Sequence, residues 1–232
     1  MEYIFLVIIL ILSVVIHEVA HGSVANYLGD PTAKYAGRLT LNPIKHLDPV
    51  GSFLVPFFLI ITTGIGFGWA KPVPINPYNF RDQKYGSLKV ALAGPGSNFL
   101  LAIIFGFLAH ILPLGITVKS LIISKFLERD MEAISNLFQG NFIAPFFLFF
   151  SLIAFINIIL AVFNLIPIPP LDGSHILFTF LPPSLGNLKA LLNQFGVFIL
   201  FFLLFVFPIF SHFLNFIINV TFSLIIGAYS SG

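Results

Sequence analysis

Cysteine does not occur among the 232 residues. Disulfides, thiolate metal sites and cysteine nucleophiles are therefore excluded, and any metal has to be held by His, Asp or Glu. Charge is scarce as well, with Lys, Arg, Asp and Glu forming 9% of the chain. A soluble domain typically carries about a quarter. So few charges cannot cover a globular surface with solvated groups. The net charge of +2 implies no nucleic-acid partner. Tryptophan occurs once, whereas phenylalanine occurs 30 times and hydrophobic residues make up 58%. The partner these numbers imply is the lipid bilayer. The chain reads as an all-α polytopic membrane protein, with residues 1–232 forming a single domain.

The long apolar runs place five transmembrane helices near 3–21, 88–112, 146–166, 188–207 and 209–227. The last two come from one long block divided at Pro208. The first run lacks the basic flank of a signal peptide, since no Lys or Arg precedes Lys34, and is expected to stay. A shorter apolar segment near 50–68 contains Pro56 and exits through Gly64, Gly66 and Gly68. It is expected to be re-entrant. The segments "AGRLTLNP" and "AKPVPINPYNF" read as extended, with short membrane-associated β-strands expected from the alternation in the first.

Polar residues interrupt the first apolar run at "VVIHEVAHG". His17 and His21 are four residues apart, one above the other on a helix face. That spacing allows two imidazoles to hold one zinc ion, with Glu18 beside them as a base toward water. Ionisable groups in a membrane helix are costly and mark function by default. A catalytic zinc site normally has three protein ligands, so a third has to come from elsewhere. His46, Asp48, His110, Asp172, His175 and His212 are the candidates. Asp172 stands out in "FNLIPIPPLDGSH", where a helix ends and prolines are expected to force extended backbone. The same Asp-Gly could instead form a turn or cap the following helix. His175 could orient Asp172 or be an ordinary polar residue. Asn164 sits in the apolar part of its helix, either as a donor to a developing oxyanion or as a helix–helix hydrogen-bonding group. In "AGPGSN", Gly94, Gly96 and Ser97 read as close-packing residues, with Asn98 a contact near the site.

Meeting of Asp172 with His17 and His21 constrains topology. If the segment near 50–68 spans, the two helix ends fall on opposite membrane faces; if it re-enters, they share one. With re-entry, one face carries Lys34, Arg38, Lys45, Lys71, Arg81, Lys84, Lys89 and Lys189, and the other Lys119, Lys125 and Arg129. That bias expects the cell membrane as the location, with the site near the cytoplasmic face.

Together, "HEVAH", "AGPGSN" and "NLIPIPPLDG", in that order, resemble the site-2 protease family of intramembrane zinc metalloproteases. "GDPTAKYAGRLTLNPIKHLDPVGS" and "GFGWAKPVPINPYNF" are similar to its compact prokaryotic subgroup without PDZ or CBS domains. The resemblance implies one Zn²⁺ per chain held by His17, His21 and Asp172. It implies Glu18 as the catalytic glutamate and Asn164 as the asparagine near the scissile carbonyl. His175 stands where the family usually has Arg. The implied substrate is a transmembrane protein, unwound locally and held as an added strand by "GRLTLN" or the 64–68 loop. The alternative is a non-proteolytic membrane zinc-binding protein, either a pseudoprotease or a metal transporter. Concentration of the polar residues near one face argues against transport. Oligomeric state is left open.

Overall fold

A computed structural model describes residues 2–54, 61 and 71–227. Helices dominate: α1 Glu2–Tyr27, α2 Thr32–Tyr35, α3 Gly86–Ile111, α4 Ile116–Leu127, α5 Met131–Phe138, α6 Ala144–Asn164, α7 Gly173–Phe180, α8 Gly186–Phe201 and α9 Pro208–Ile226. A π-helical turn, Phe202–Val206, extends α8. Five of the described helices are long and apolar enough to cross a membrane. They match the five expected runs. The described residues contain no β-strand.

The expected strand at 37–42 is thus corrected. A strand needs a neighbouring ladder, and here the Arg38 N–H bonds the Ala33 carbonyl at 3.0 Å while the Thr40 carbonyl lies 2.8 Å from His46 Nε2. Arg38, buried, donates through its guanidinium to the carbonyls of Lys45, Lys71 (2.6 Å) and Pro72 (3.4 Å). The Lys71 N–H bonds the His46 carbonyl at 2.9 Å. The Arg38 side chain thereby joins the two extended segments, and one isolated backbone bond ties the second to the Pro43–His46 turn. The re-entrant expectation near 50–68 falls mostly outside the described residues.

The chain forms two compact units, Met1–Ser97 with Leu165–Gly196 and Asn98–Asn164 with Val197–Gly232. In the first, α1 ends because Gly29 takes a φ of +110° and the Asp30 N–H reaches back to the Ala25 carbonyl at 2.9 Å. Asp30, fully buried, then accepts from the Asn76 N–H (2.7 Å), Asn79 Nδ2 (2.9 Å) and both the N–H and hydroxyl of Thr32. Burial pushes its carboxyl up, but these hydrogen bonds outweigh that and hold it below the ordinary range. One carboxylate thereby anchors the 76–79 turn to the end of α1.

The second unit packs around Phe147, Ile122, Ile158 and Ile226, all fully buried. Ala102, Gly106 and Ala109 give α3 a small-residue face, and a Cβ on Gly106 would stand 2.0 Å from Ile225 Cγ2 of α9. Asn98 donates to Asn157 at 2.7 Å, both with no exposed surface. Asn98 therefore helps to pair α3 with α6 in this unit.

Candidate metal centre

The site is assembled within the first unit. His17 and His21 stand one turn apart on α1, both buried, with Nε2 atoms 3.0 Å apart and ring planes at 85°. Asp172 Oδ2 lies 3.1 Å from His17 Nε2 and 3.3 Å from His21 Nε2. Donor atoms of all three residues fall within 4.8 Å of one another. The expected third ligand is therefore the one that meets the histidines.

Local sequence explains how Asp172 gets there. Residues after α6 do not run extended, as the prolines were expected to impose. They turn tightly, with Ile168 N–H to Ile166 O (2.8 Å), Leu171 N–H to Ile168 O (3.0 Å) and a cis Pro169–Pro170 bond. Extended backbone was the wrong inference because a proline fixes its own φ without excluding a succession of turns. Gly173 follows because nothing larger fits: a Cβ there would sit 2.3 Å from the Leu165 carbonyl oxygen and 2.4 Å from that of Ile166. Asp172 occupies the cap position of α7, yet its side chain makes no capping bond. The capping alternative is not realised, and the carboxylate faces the histidines instead.

The donor set fits a cation. His21 Nδ1 is 2.7 Å from the Val90 carbonyl, so that nitrogen carries the proton and Nε2 presents a lone pair. Asp172 Oδ2 is buried and receives no hydrogen bond. A lone pair pointing at an unprotonated oxygen 3.3 Å away is repulsive unless a positive charge lies between them. Gly94 of α3 keeps the space open. A Cβ at that position would be 2.4 Å from His21 Nε2 and 2.6 Å from His17 Nε2. It gives clearance to the two imidazoles, in addition to the packing expected from sequence. Two His and one Asp are the N/O donor set that zinc accepts.

Glu18 is held from the other side. Its Oε2 accepts the Val73 N–H at 2.8 Å, and Val73 belongs to the segment that Arg38 clamps. Neither Val73 nor Val90 could be found by side-chain chemistry, because each contributes a backbone group. Arg38 carried a signal that went unused: a buried-looking arginine between glycine and leucine in a polar-poor chain. The His175 side chain is exposed and makes no hydrogen bond to Asp172. Asn164, the last residue of α6, donates from Nδ2 to the Leu160 carbonyl at 2.9 Å and belongs to the second unit.

Comparison with known proteins places this arrangement. Residues 79–203 match the profile of peptidase family M50, a stretch that includes Asp172 but not the two histidines. A Bacillus subtilis protein named "Putative zinc metalloprotease YwhC" is 40% identical over 208 residues, covering 90% of this chain and 83% of its own. The chain belongs to peptidase family M50. Further relatives carry the name "Putative zinc metalloprotease Rip2". The Mycolicibacterium smegmatis protein is 30% identical over 84% of this chain and 64% of its own. That of Mycobacterium tuberculosis is 28% identical over 81% of this chain and 61% of its own. No solved structure matches the chain.

Proposed function

We infer that this M50 protein is a zinc-dependent endopeptidase that cuts peptide bonds within or near transmembrane segments of membrane proteins. The observation that carries the reading is the convergence of Asp172 on His17 and His21, which share with Glu18 a helix apolar enough to span a bilayer. Glu18, next to His17 in the chain, is the group that hydrolysis needs to accept a proton from water, and it favours proteolysis over zinc held for structure alone.

His17, His21 and Asp172 would hold the metal. Zinc, when bound, supplies Lewis acidity that activates water at neutral pH and polarises a carbonyl. Glu18 takes the proton from the attacking water and delivers it to the leaving amine nitrogen. The Val73 N–H engages one carboxylate oxygen of Glu18 and fixes its rotamer, leaving the other for that proton. Asn164 retains a second N–H beyond its bond to Leu160, and we assign that proton to the developing oxyanion.

Topology follows the same logic. Asp172 meets His17 and His21, so the C-terminal end of α1 and the residues just after α6 lie at one membrane face. With α3 and α6 as the spans between them, the segment joining α1 to α3 has to start and end on that face. This supports re-entry for residues near 50–68, and the lysine and arginine bias supports a cytoplasmic face for the site. Cleavage of a single-span model substrate by the purified protein, with and without chelator, tests the proposal. Chelator-sensitive cleavage that is absent from Asp172→Ala is expected; chelator-insensitive cleavage would overturn it.

A further inference from the structure

Arg38 is a buried cation without a counter-ion. It is 7% exposed, and its guanidinium donates to three carbonyls, which satisfy hydrogen bonds but leave its charge unneutralised. Its Nε, also buried, has no partner. With exposed Lys45 and Lys71 it lines a cavity of about 440 Å³, whose apolar wall includes Ile44, Leu47 and Pro72. Among the described residues no carboxylate lines this cavity, and none of the three cations forms an ion pair. Asp48, nearest in the chain, accepts the Gly51 N–H at 2.7 Å. Three positive charges around one cavity repel each other until an anion sits among them.

Helix α1 sets the depth of the cavity. At about 1.5 Å per residue its 26 residues measure about 39 Å, against a hydrocarbon core of about 30 Å. Its ends therefore stand among headgroups. A Cβ on Gly22 would lie 2.7 Å from Leu39 Cδ2 and 2.9 Å from Val73 Cγ1. The segments that carry Arg38 and Lys71 thus meet α1 about 7.5 Å before its C-terminal end, at the boundary between hydrocarbon and headgroups. Tyr27, Tyr35 and Tyr78 of the same unit are each at least 80% exposed, as residues of an interfacial belt are.

We propose that this cavity binds the phosphate of an anionic phospholipid headgroup. Lys45 and Lys71 hold the phosphate beside the buried charge of Arg38, and Ile44, Leu47 and Pro72 meet the glycerol and upper acyl carbons of the same molecule. The mixed lining selects an amphiphile over a free inorganic anion. The depth selects a lipid over an acidic segment approaching from water. Pro72 precedes Val73, whose N–H holds Glu18, so the bound lipid bears on the segment that orients that carboxylate. The inference rests on α1 spanning a bilayer and not on proteolysis.

The test counts bound lipid and needs no cleavage. The protein in a neutral detergent is titrated with short-chain phosphatidylglycerol and read by native mass spectrometry. At about 1 kcal/mol per basic residue and about 1.4 kcal/mol per factor of ten, Lys45→Gln with Lys71→Gln should weaken binding about 30-fold. Lys34→Gln with Lys84→Gln removes the same charge from exposed positions outside the cavity and should weaken it less than about three-fold. Both pairs should keep the parent's melting temperature. Phosphatidylcholine, with no net charge, should bind about ten-fold more weakly or less. Equal losses in the two pairs, or equal binding of the two lipids, would overturn the proposal. So would displacement of the lipid by inorganic phosphate or by an acidic peptide at the same concentration.

Discussion

Gly94→Ala probes the metal centre through a single carbon atom. The added Cβ would lie 2.4 Å from His21 Nε2 and between 2.5 and 2.6 Å from His17 atoms. Ordinary contacts lie at about 3.5–4.0 Å, so each ring has to retreat by roughly 1 Å. A metal site tolerates only about ±0.2 Å in its ligand distances. His21 is least able to move, because its Nδ1 is tied to Val90 on the helix that carries Gly94. We expect zinc affinity to fall by about 100-fold or more, at or beyond the upper end for changes around metal ligands. Gly96→Ala is the matched control, since a Cβ there meets nothing within 4 Å. It should keep zinc and gain up to about 1 kcal/mol in helix propensity. The assay is metal analysis of both purified variants beside the parent, with melting temperatures. Stoichiometric zinc and full cleavage in Gly94→Ala would refute the clearance argument.

Three further outcomes follow from other parts of the site. Gly173→Ala should displace Asp172, because the new Cβ meets two backbone carbonyls that cannot rotate away; metal analysis should show zinc lost despite an intact ligand set. Arg38→Gln should release the 71–73 segment and the Val73 hydrogen bond to Glu18, lowering kcat about ten-fold or more with zinc retained; an unchanged kcat would remove Arg38 from the account. Asp30→Asn should cost about 1–3 kcal/mol at neutral pH, measured by thermal or denaturant unfolding. Because the folded-state pKa of Asp30 is lowered, its contribution is present above the unfolded carboxylate value and disappears as pH falls through the folded one. The parent should therefore lose more stability than Asp30→Asn on acidification below about pH 4.

Legibility from sequence varied with the kind of group involved. The five apolar runs and the four-residue spacing of His17 and His21 depend on composition and helical period, and both appear in the structure as expected. Asp172 stood out as a candidate third ligand because it follows prolines at the end of an apolar helix, although the same Asp-Gly could equally have formed a turn or a cap. The helices α4 and α5 were not anticipated, since twelve and eight residues with interspersed charge give no membrane signal. Alternation at 38–42 misled because it has another cause here. Arg38 turns inward to carbonyls, and Leu39 fills the space beside Gly22, where a Cβ would stand 2.7 Å from Leu39 Cδ2. Strand pairing depends on a neighbour that a local pattern cannot reveal. The partners of Glu18 and His21 are main-chain groups, available at every residue and therefore invisible in side-chain chemistry.

The central claim is that Glu18 moves the proton while His17, His21 and Asp172 hold the zinc. Glu18→Gln separates the two roles, since it keeps the shape and the acceptor for the Val73 N–H but cannot take a proton. Zinc content and cleavage of a single-span substrate are measured on the same preparation, beside the parent. The account predicts equal zinc in both and cleavage by the parent alone; equal cleavage by Glu18→Gln would contradict it.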